Sequence, residues 1–243
     1  MSSLLSICEY LSDSEETLYN LKAFPPDLSK VSVVPTDVHV DDPQLHGGRT
    51  RSFPHVRGNW ATHIYVKYPA EDILNKFLEK LEKILVSKNQ HWERCSDIHI
   101  SLSRTFTLQY HFITPFTKSL QEAVNKEESF ELEFSGLNVY INDEKTRTFI
   151  SLDVDHYSQR HLYALTNNID TILSDYKLPK FYEDPSYHMS LFWINGDKKL
   201  EATTILEELA DIISSEIKKL LRTGLVDRVI CKSGNKHFQY FLE

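Results

Sequence analysis

Residues 97–104 read DIHISLSR and residues 186–193 read SYHMSLFW, so each half of the chain carries one aliphatic stretch with the pattern His-x-Ser. Because side chains alternate between the two faces of a strand, each histidine shares a face with the serine two positions on, and the aliphatic residues point the other way. The two histidines, His99 and His188, are 89 positions apart (188 − 99). This repetition predicts two similar lobes that each contribute one histidine and one serine to a shared site.

Hydrophobic periodicity predicts that strands and helices alternate in both halves. Polar turns at 142–145 and 233–235 are typical of hairpins. The fold class is therefore α/β, more closely α+β: two pseudo-symmetric lobes of antiparallel sheet plus helices, with one His-x-Ser motif in each lobe. The predicted strands are 59–68, 97–107, 130–141, 146–154, 186–194, 226–232 and 236–242, and the predicted helices are 71–87, 114–125, 156–176 and 200–221.

Composition and charge limit the classes of protein. The chain has 243 residues, a net charge of −8 and three scattered cysteines. Eight acidic residues and two lysines lie before residue 43, which leaves a net of −2 for the rest. We expect residues 1–45 to form an acidic, disordered tail and residues 46–243 a single bilobal domain. The chain lacks a basic leader and a long apolar run, so a soluble intracellular protein without a membrane partner is expected. Its nearly neutral body predicts contact with at most a short or terminal piece of nucleic acid.

Paired histidines and serines suit the cleavage of a phosphodiester. Each serine hydroxyl can donate to a non-bridging phosphate oxygen, and each histidine, with an ordinary pKa of about 6.5, can exchange a proton near neutral pH. One histidine would take the proton of a ribose 2′-hydroxyl while the other protonates the departing 5′-oxygen. These groups supply the charge stabilisation, so we expect no metal and no cofactor. The sequence has no GxxxxGK[ST], GxSxG or HExxH pattern, which would indicate other chemistries.

The loop before the second motif carries two aromatic residues, Phe181 and Tyr182. An aromatic ring at this place can stack on a nucleobase, a contact worth about 1–3 kcal/mol. It can equally close the edge of the core, and spacing alone does not separate these two roles. Arg104 and Arg147 are candidates for phosphate contacts.

Five stretches of the chain resemble the U6 snRNA phosphodiesterase family, which belongs to the 2H phosphoesterase superfamily with its LigT-like fold. The paired His-x-Ser motifs are similar to the whole superfamily, whereas GNWAT and CKSGNK indicate the narrower family. The resemblance extends from Gly47 to the C-terminus and leaves out the acidic tail. The five stretches are HGGRTRSFPHVRGNWATHIYV from His46, HISLSR from His99, EKTRTFI from Glu144, FYEDPSYHMSLFW from Phe181 and CKSGNKHF from Cys231.

The resemblance implies a nuclear 3′→5′ exoribonuclease that trims the oligouridine tail at the 3′ end of U6 snRNA in support of pre-mRNA splicing. It implies metal-independent transesterification that leaves a 2′,3′-cyclic phosphate, which some members of the family then hydrolyse. We expect a monomer. By the same resemblance the catalytic residues are His99 and His188, and the substrate-binding residues are Ser101, Ser190, Tyr182, Ser186, Tyr187 and Met189.

Two other kinds of function share these sequence features. One is another 2H enzyme, such as a cyclic phosphodiesterase acting on RNA ends from tRNA splicing or a 2′,5′-oligoadenylate hydrolase. The other is a non-catalytic module that binds RNA 3′ ends, although binding alone does not need two proton carriers. The sequence also leaves open which histidine is the base, which is the acid, and which base the tail must carry.

Overall fold

The computed structural model describes residues 56–87, 91–208, 210–220 and 224–243. The expected tail at 1–45 lies outside these residues, as does the beginning of the expected domain at 46–55. None of the helices in the described ranges is both long and apolar enough to cross a membrane. The strands are β1 (Asn59–Val66), β2 (Glu93–Arg94), β3 (Ile100–Ser101), β4 (Phe106–Gln109), β5 (Phe130–Leu132), β6 (Phe134–Ile141), β7 (Arg147–Val154), β8 (His188–Asn195), β9 (Gly224–Val226), β10 (Arg228–Ser233) and β11 (Lys236–Phe241), and the helices are α1 (Glu71–Ser87), α2 (Tyr110–Val124), α3 (His156–Asp175), α4 (Lys199–Glu208) and α5 (Ala210–Leu220).

Nine strands form one sheet in the order β11-β10-β1-β3-β8-β7-β6, with β4 beside β1 and β2 beside β8. We call β11, β10, β1, β3 and β4 the first lobe, and β8, β7, β6 and β2 the second lobe. The lobes join where Ile100 of β3 pairs with Met189 of β8. Every pairing in this sheet is antiparallel, so the predicted architecture of two antiparallel lobes is confirmed. The lobes differ from the two halves of the sequence, because the C-terminal hairpin β10-β11 pairs with β1 of the first lobe.

The core lies between one face of this sheet and the helices. Ile64, Ile100 and Met189 point to that face and have no exposed surface. They belong to the same apolar cluster as Leu78 of α1 and Phe116 of α2. The other face of the sheet is left for polar and aromatic side chains, and it carries the His-x-Ser motifs.

The strand predicted at 97–107 is in fact two strands, β3 and β4, separated by a bulge. Ser101 pairs with Tyr65, and Phe106 pairs with Thr62. The β3–β4 segment therefore advances five positions over a length in which β1 advances three. The two extra residues bend the strand, as bulges do. A backbone N–H of β1 donates to Ser103 Oγ at 2.9 Å inside this bulge. Ser103 is therefore buried, although an uninterrupted strand would place it on the open face with Ser101.

Two other predicted elements differ from the observed ones by more than two residues at an end or by a break. Helix α2 begins at Tyr110, earlier than predicted, so Pro115 lies inside it and not in its first turn. The strand predicted at 130–141 is interrupted at Glu133, whose N–H donates to Ser158 Oγ at 2.9 Å and not to a neighbouring strand. The helix predicted at 200–221 is described as α4 and α5, one on each side of residue 209, which lies outside the described residues.

Candidate active site

The two His-x-Ser motifs meet at the junction of the lobes. Because Ile100 pairs with Met189 in an antiparallel ladder, the flanking residues pair crosswise. His99 thus lies opposite Ser190, and Ser101 lies opposite His188. All four side chains point away from the core, since the side chains between them are fully buried. A pseudo-twofold axis passes through this pair of strands, and the four residues predicted from the motifs share one site.

Both imidazole rings are held in the same way. The Nδ1 atom of His99 lies 2.9 Å from the carbonyl oxygen of Asp97, and that of His188 lies 2.7 Å from the carbonyl oxygen of Ser186. A carbonyl oxygen only accepts hydrogen bonds, so each Nδ1 carries the proton and donates it. In the neutral ring the lone pair is then on Nε2, which is the atom that can accept a proton.

Burial lowers the pKa of both histidines. For His99, the hydrogen bond to the Asp97 carbonyl and the Asp97 carboxylate oppose this effect, while Lys67 and Lys232 add to it. For His188, the hydrogen bond to the Ser186 carbonyl and the Asp153 carboxylate oppose it. In each case burial outweighs the opposing groups, so both rings favour the neutral form at neutral pH.

In the second lobe, Tyr140 supports His188 on its ring face and through a hydrogen-bond network. The two rings are stacked, with centroids 3.8 Å apart and an angle of 14° between the planes. The hydroxyl of Tyr140 donates to the Asp153 carboxylate at 2.7 Å, so Ser186 Oγ, at 2.6 Å, must be the donor to Tyr140. Burial is the main reason that the pKa of Tyr140 rises to about 12. Tyr140 therefore remains a neutral donor and fixes the ring of His188.

In the first lobe, His99 lies among aromatic and charged side chains. Its ring centroid is 4.9 Å from that of Tyr65 and 5.5 Å from that of His63. The carboxylate of Asp97 forms an ion pair with Lys67 at 3.0 Å. Burial works to raise the pKa of Asp97, but the contact with Lys67, together with the charges of His99 and Lys232, outweighs it and leaves this pKa below its ordinary value. Asp97 is thus a permanent negative charge beside His99.

The two serines of the motifs are oriented differently. Ser190 Oγ lies 3.1 Å from Ser151 Oγ on the neighbouring strand β7, and Ser151 is fully buried. Ser101 pairs across the ladder with Tyr65. Ser190 is therefore held by a second hydroxyl, whereas Ser101 sits beside an aromatic ring.

The loop predicted to bind a base places Tyr182 between an arginine and an aromatic ring. The guanidinium carbon of Arg104 lies 4.0 Å from the centroid of the Tyr182 ring, and the Phe181 ring meets it edge-on at 5.1 Å. Tyr182 is 44% exposed, so it does not close the core. Arg104 lies three residues after Ser101 of the first motif, so this contact connects the two lobes. Arg147, the other candidate arginine, instead lies 4.0 Å over Trp193.

Three other predicted substrate-binding residues lie around the second motif. Ser186 is at the site, where its carbonyl and hydroxyl orient His188 and Tyr140. The side chains of Tyr187 and Met189 point into the core, and the Tyr187 hydroxyl donates to Thr166 Oγ1 at 2.9 Å. Any contact of these two residues with substrate is therefore a backbone contact, because strand alternation turns their side chains into the core.

The sequence analysis did not find the supporting residues of the site. Tyr140 and Asp153 lie on β6 and β7, and His63 and Tyr65 on β1, with no sequence pattern that relates them to the histidines. Strand alternation was the available signal, since it places Tyr65 and Lys67 on the face opposite the core. Within the described ranges no group of three His, Cys, Asp or Glu residues is arranged to hold a metal ion.

Comparisons with known proteins show which sequences this chain is similar to. A family model described as "HVSL: Uncharacterised conserved protein" matches residues 24–240. The chain is 40% identical over 206 residues to U6 snRNA phosphodiesterase 1 of Drosophila melanogaster, covering 84% of this chain and 78% of that protein. It is 39% identical over 204 residues to U6 snRNA phosphodiesterase 1 of Homo sapiens, covering 82% and 75%.

Solved structures show the same fold at low sequence identity. Kluyveromyces marxianus Usb1 matches with a TM-score of 0.51 and 14% identity, covering 76% of this chain and 97% of that one. Escherichia coli LigT in complex with 3′-AMP matches with a TM-score of 0.50 and 10% identity, covering 76% and 96%. The fold is thus that of the Usb1 and LigT 2H phosphoesterases. The identity to the animal relatives goes further: the chain belongs to the U6 snRNA phosphodiesterase family.

Proposed function

We propose that this chain is a 3′→5′ exoribonuclease that trims the oligouridine tail of U6 snRNA. The observation that carries this proposal is the pairing of Ile100 with Met189, which sets the two His-x-Ser motifs face to face. The relatives with 35–40% identity over most of the chain are named U6 snRNA phosphodiesterase 1. Solved structures of the same fold include Usb1 with uridine monophosphate and LigT with 3′-AMP. A nuclear location, a role in splicing and a monomeric state are part of the proposal.

The proposed reaction is a transesterification at the last phosphodiester of the tail. The neutral histidine accepts the proton of the 2′-hydroxyl at Nε2, and the 2′-oxygen forms a bond to phosphorus. The bond from phosphorus to the 5′-oxygen breaks, and the other histidine, which is protonated before the reaction, gives that oxygen its proton. The products are an RNA shortened by one nucleotide, with a 2′,3′-cyclic phosphate, and a nucleoside with a free 5′-hydroxyl. Ser101 and Ser190 donate to the non-bridging oxygens, where negative charge increases in the transition state.

Tyr182 supplies the base contact in this proposal. Its partly exposed ring, already flanked by the Arg104 guanidinium, lies on the loop that leads into the second motif. Stacking on the terminal nucleobase would hold the terminal ribose and its 5′-oxygen beside the histidine pair. Such stacking tolerates different bases, so it explains engagement of the end better than a strict choice of uridine.

The test is digestion of an RNA that ends in an oligouridine tail, carried out with the full-length chain in excess EDTA. We expect fragments that shorten one nucleotide at a time from the 3′ end and that carry 2′,3′-cyclic phosphate, read by end-group analysis. Activity that requires added Mg²⁺ or Mn²⁺ would reject the metal-independent chemistry. Opening of a supplied cyclic phosphate without shortening would favour the alternative 2H enzyme, and binding without any product would favour an RNA-end binding module.

A further inference from the structure

The C-terminal hairpin brings a row of basic side chains to the open face of the first lobe. Lys232 lies on β10 between Cys231 and Ser233, both of which are buried. Its side chain therefore points to the opposite, open face. Across the ladders Lys232 pairs with His63 on one side and with His237 on the other. Cross-strand partners share a face, so His63, Lys232 and His237 form one row, which we call the basic row.

The basic row begins at the catalytic site. The His63 ring centroid is 5.5 Å from that of His99, and neighbouring strands are about 4.8 Å apart, so the row extends roughly 10 Å further, from β1 to β11. Lys232 is also close enough to His99 and Asp97 to lower the pKa of each, although burial is the larger influence on both. The row therefore leads from the reacting phosphate to the outer strand of the sheet.

Lys232 forms no salt bridge with any described carboxylate, unlike the other cations described on this face. Lys67 is paired with Asp97 at 3.0 Å, and Arg228 with Asp227 at 2.7 Å. No carboxylate in the described part of the chain forms a salt bridge with Lys232. A groove of about 470 Å³ runs along the same face, lined in part by Tyr65, Asp97 and His237. Its lining thus includes two neighbours of His99 and one member of the basic row, His237.

An ammonium that forms no salt bridge within the described residues, flanked by imidazoles on an open face, suits a phosphate group. The scissile phosphate is already assigned to the histidines and serines, and an RNA whose last nucleotide ends in a 3′-hydroxyl, as in the first round of trimming, has no phosphate beyond that nucleotide. Further phosphates exist only on the 5′ side. On the basis of the proposed function, we propose that the basic row binds the backbone phosphates of the RNA on the 5′ side of the scissile bond, across the first lobe.

The test compares a substrate with one phosphate against a substrate with several. The dinucleotide UpU contains only the scissile phosphate, whereas hexauridylate also offers phosphates to the row. We expect Lys232→Ala to lower kcat/KM for hexauridylate roughly tenfold more than for UpU. It should also reduce the salt dependence of hexauridylate binding. The slope of log K against log salt concentration should become shallower by about 0.7, the change expected when one phosphate contact to a single strand is lost. Lys232→Arg should retain most of the wild-type preference for the longer substrate.

Lys236→Ala is the matched control. Lys236 is on the same hairpin, but it pairs with the buried Ser233 and its ammonium lies 4.7 Å over the Tyr110 ring. It therefore points to the opposite face, and its removal should leave the salt slope unchanged. Equal losses on UpU and hexauridylate for Lys232→Ala, or the same change of slope in Lys236→Ala, would overturn the basic row. A wild-type chain that cleaves neither substrate would instead reject the proposed function.

Discussion

The surroundings of His99 and His188 are alike in their backbone and different in their side chains. Each ring donates from Nδ1 to the carbonyl oxygen two residues before it, and each faces the serine of the other motif. The likeness comes from two strands that pair about a pseudo-twofold axis. It gives both histidines the same tautomer, in which Nε2 is the atom that can accept a proton. Two proton carriers on opposite sides of one phosphate need this arrangement.

The side chains around each histidine break this symmetry. Asp97, beside His99, is bound by the cation of Lys67. Asp153, beside His188, is bound by two neutral donors, the hydroxyl of Tyr140 and the amide of Asn138. The first lobe is thus a charged environment that continues into the basic row, and the second is a neutral aromatic one. We infer that the shared backbone geometry provides two proton carriers and that the different neighbours assign them different tasks.

The largest expected effect concerns what the two histidines share. His99→Ala and His188→Ala should each reduce the single-turnover rate on oligouridine-tailed RNA by about 10²–10⁴-fold, because each removes one proton transfer. The double variant should be scarcely slower than either single variant, since residues that act as a unit are non-additive. Thermal melts would verify folding. A folded single variant with nearly full activity would mean that the symmetric pair is not the catalytic unit.

The serines should show the next largest effect. Ser101→Ala and Ser190→Ala each remove a hydrogen bond to a charged phosphate and should lower kcat/KM by about ten- to 150-fold. Ser151→Ala removes only the partner of Ser190 and should cost about fivefold, as for a neutral hydrogen bond. If Ser151→Ala is the most damaging of the three, the phosphate contact of the second lobe lies on β7 and not on β8.

Tyr182 lies on the loop that leads into the second motif, and replacing it tests whether the base is bound on that side of the site. Tyr182→Ala should weaken substrate engagement by about five- to 150-fold through lost stacking. Tyr182→Phe keeps the ring face and should stay close to wild type. Initial rates against RNA concentration at one salt concentration, alongside thermal melts, measure this. An equal loss in Phe and Ala would assign the role to the hydroxyl, and a lowered melting temperature with unchanged trimming would make Tyr182 a packing residue.

The smallest expected effect is a shift in the pH profile, and it separates the two histidines. Asp97→Asn removes a carboxylate that raises the pKa of His99 and leaves Lys67, which lowers it. Asp153→Asn likewise removes a carboxylate that raises the pKa of His188. Both pKa values should move down. In the pH profile of kcat/KM, the acid limb reports the pKa of the general base and the alkaline limb reports the pKa of the general acid. Each substitution should therefore move a different limb to lower pH. Both variants moving the same limb would refute a division of roles.

The sequence alone was sufficient for the features that depend on local pattern. Strand alternation placed His99 with Ser101, and His188 with Ser190, on the face opposite the core, and the apolar stripe gave α1 its observed bounds. The same alternation also placed Met189 on the core face, so its inclusion among the substrate-binding residues came from the resemblance and not from the pattern.

Features that depend on pairing between distant strands could not be predicted. The bulge between β3 and β4 exists only in relation to β1. Tyr140 reaches His188 because β6 lies two strands from β8 in the sheet. Lys232 reaches the first lobe because the last hairpin crosses back to β1. No local periodicity encodes such long-range neighbours, since they are decided by the order of strands in the folded sheet.

The most direct test of the division of labour uses an RNA in which sulfur replaces the bridging 5′-oxygen at the scissile bond. A thiol has a much lower pKa than an alcohol, so the sulfur leaves without needing a proton. Single-turnover rates of His99→Ala and His188→Ala on this RNA are compared with their rates on the all-oxygen RNA. We expect one variant and not the other, the one lacking the general acid, to recover a rate near that of the wild-type chain. Recovery of both variants, or of neither, would contradict a mechanism in which one histidine is the base and the other the acid.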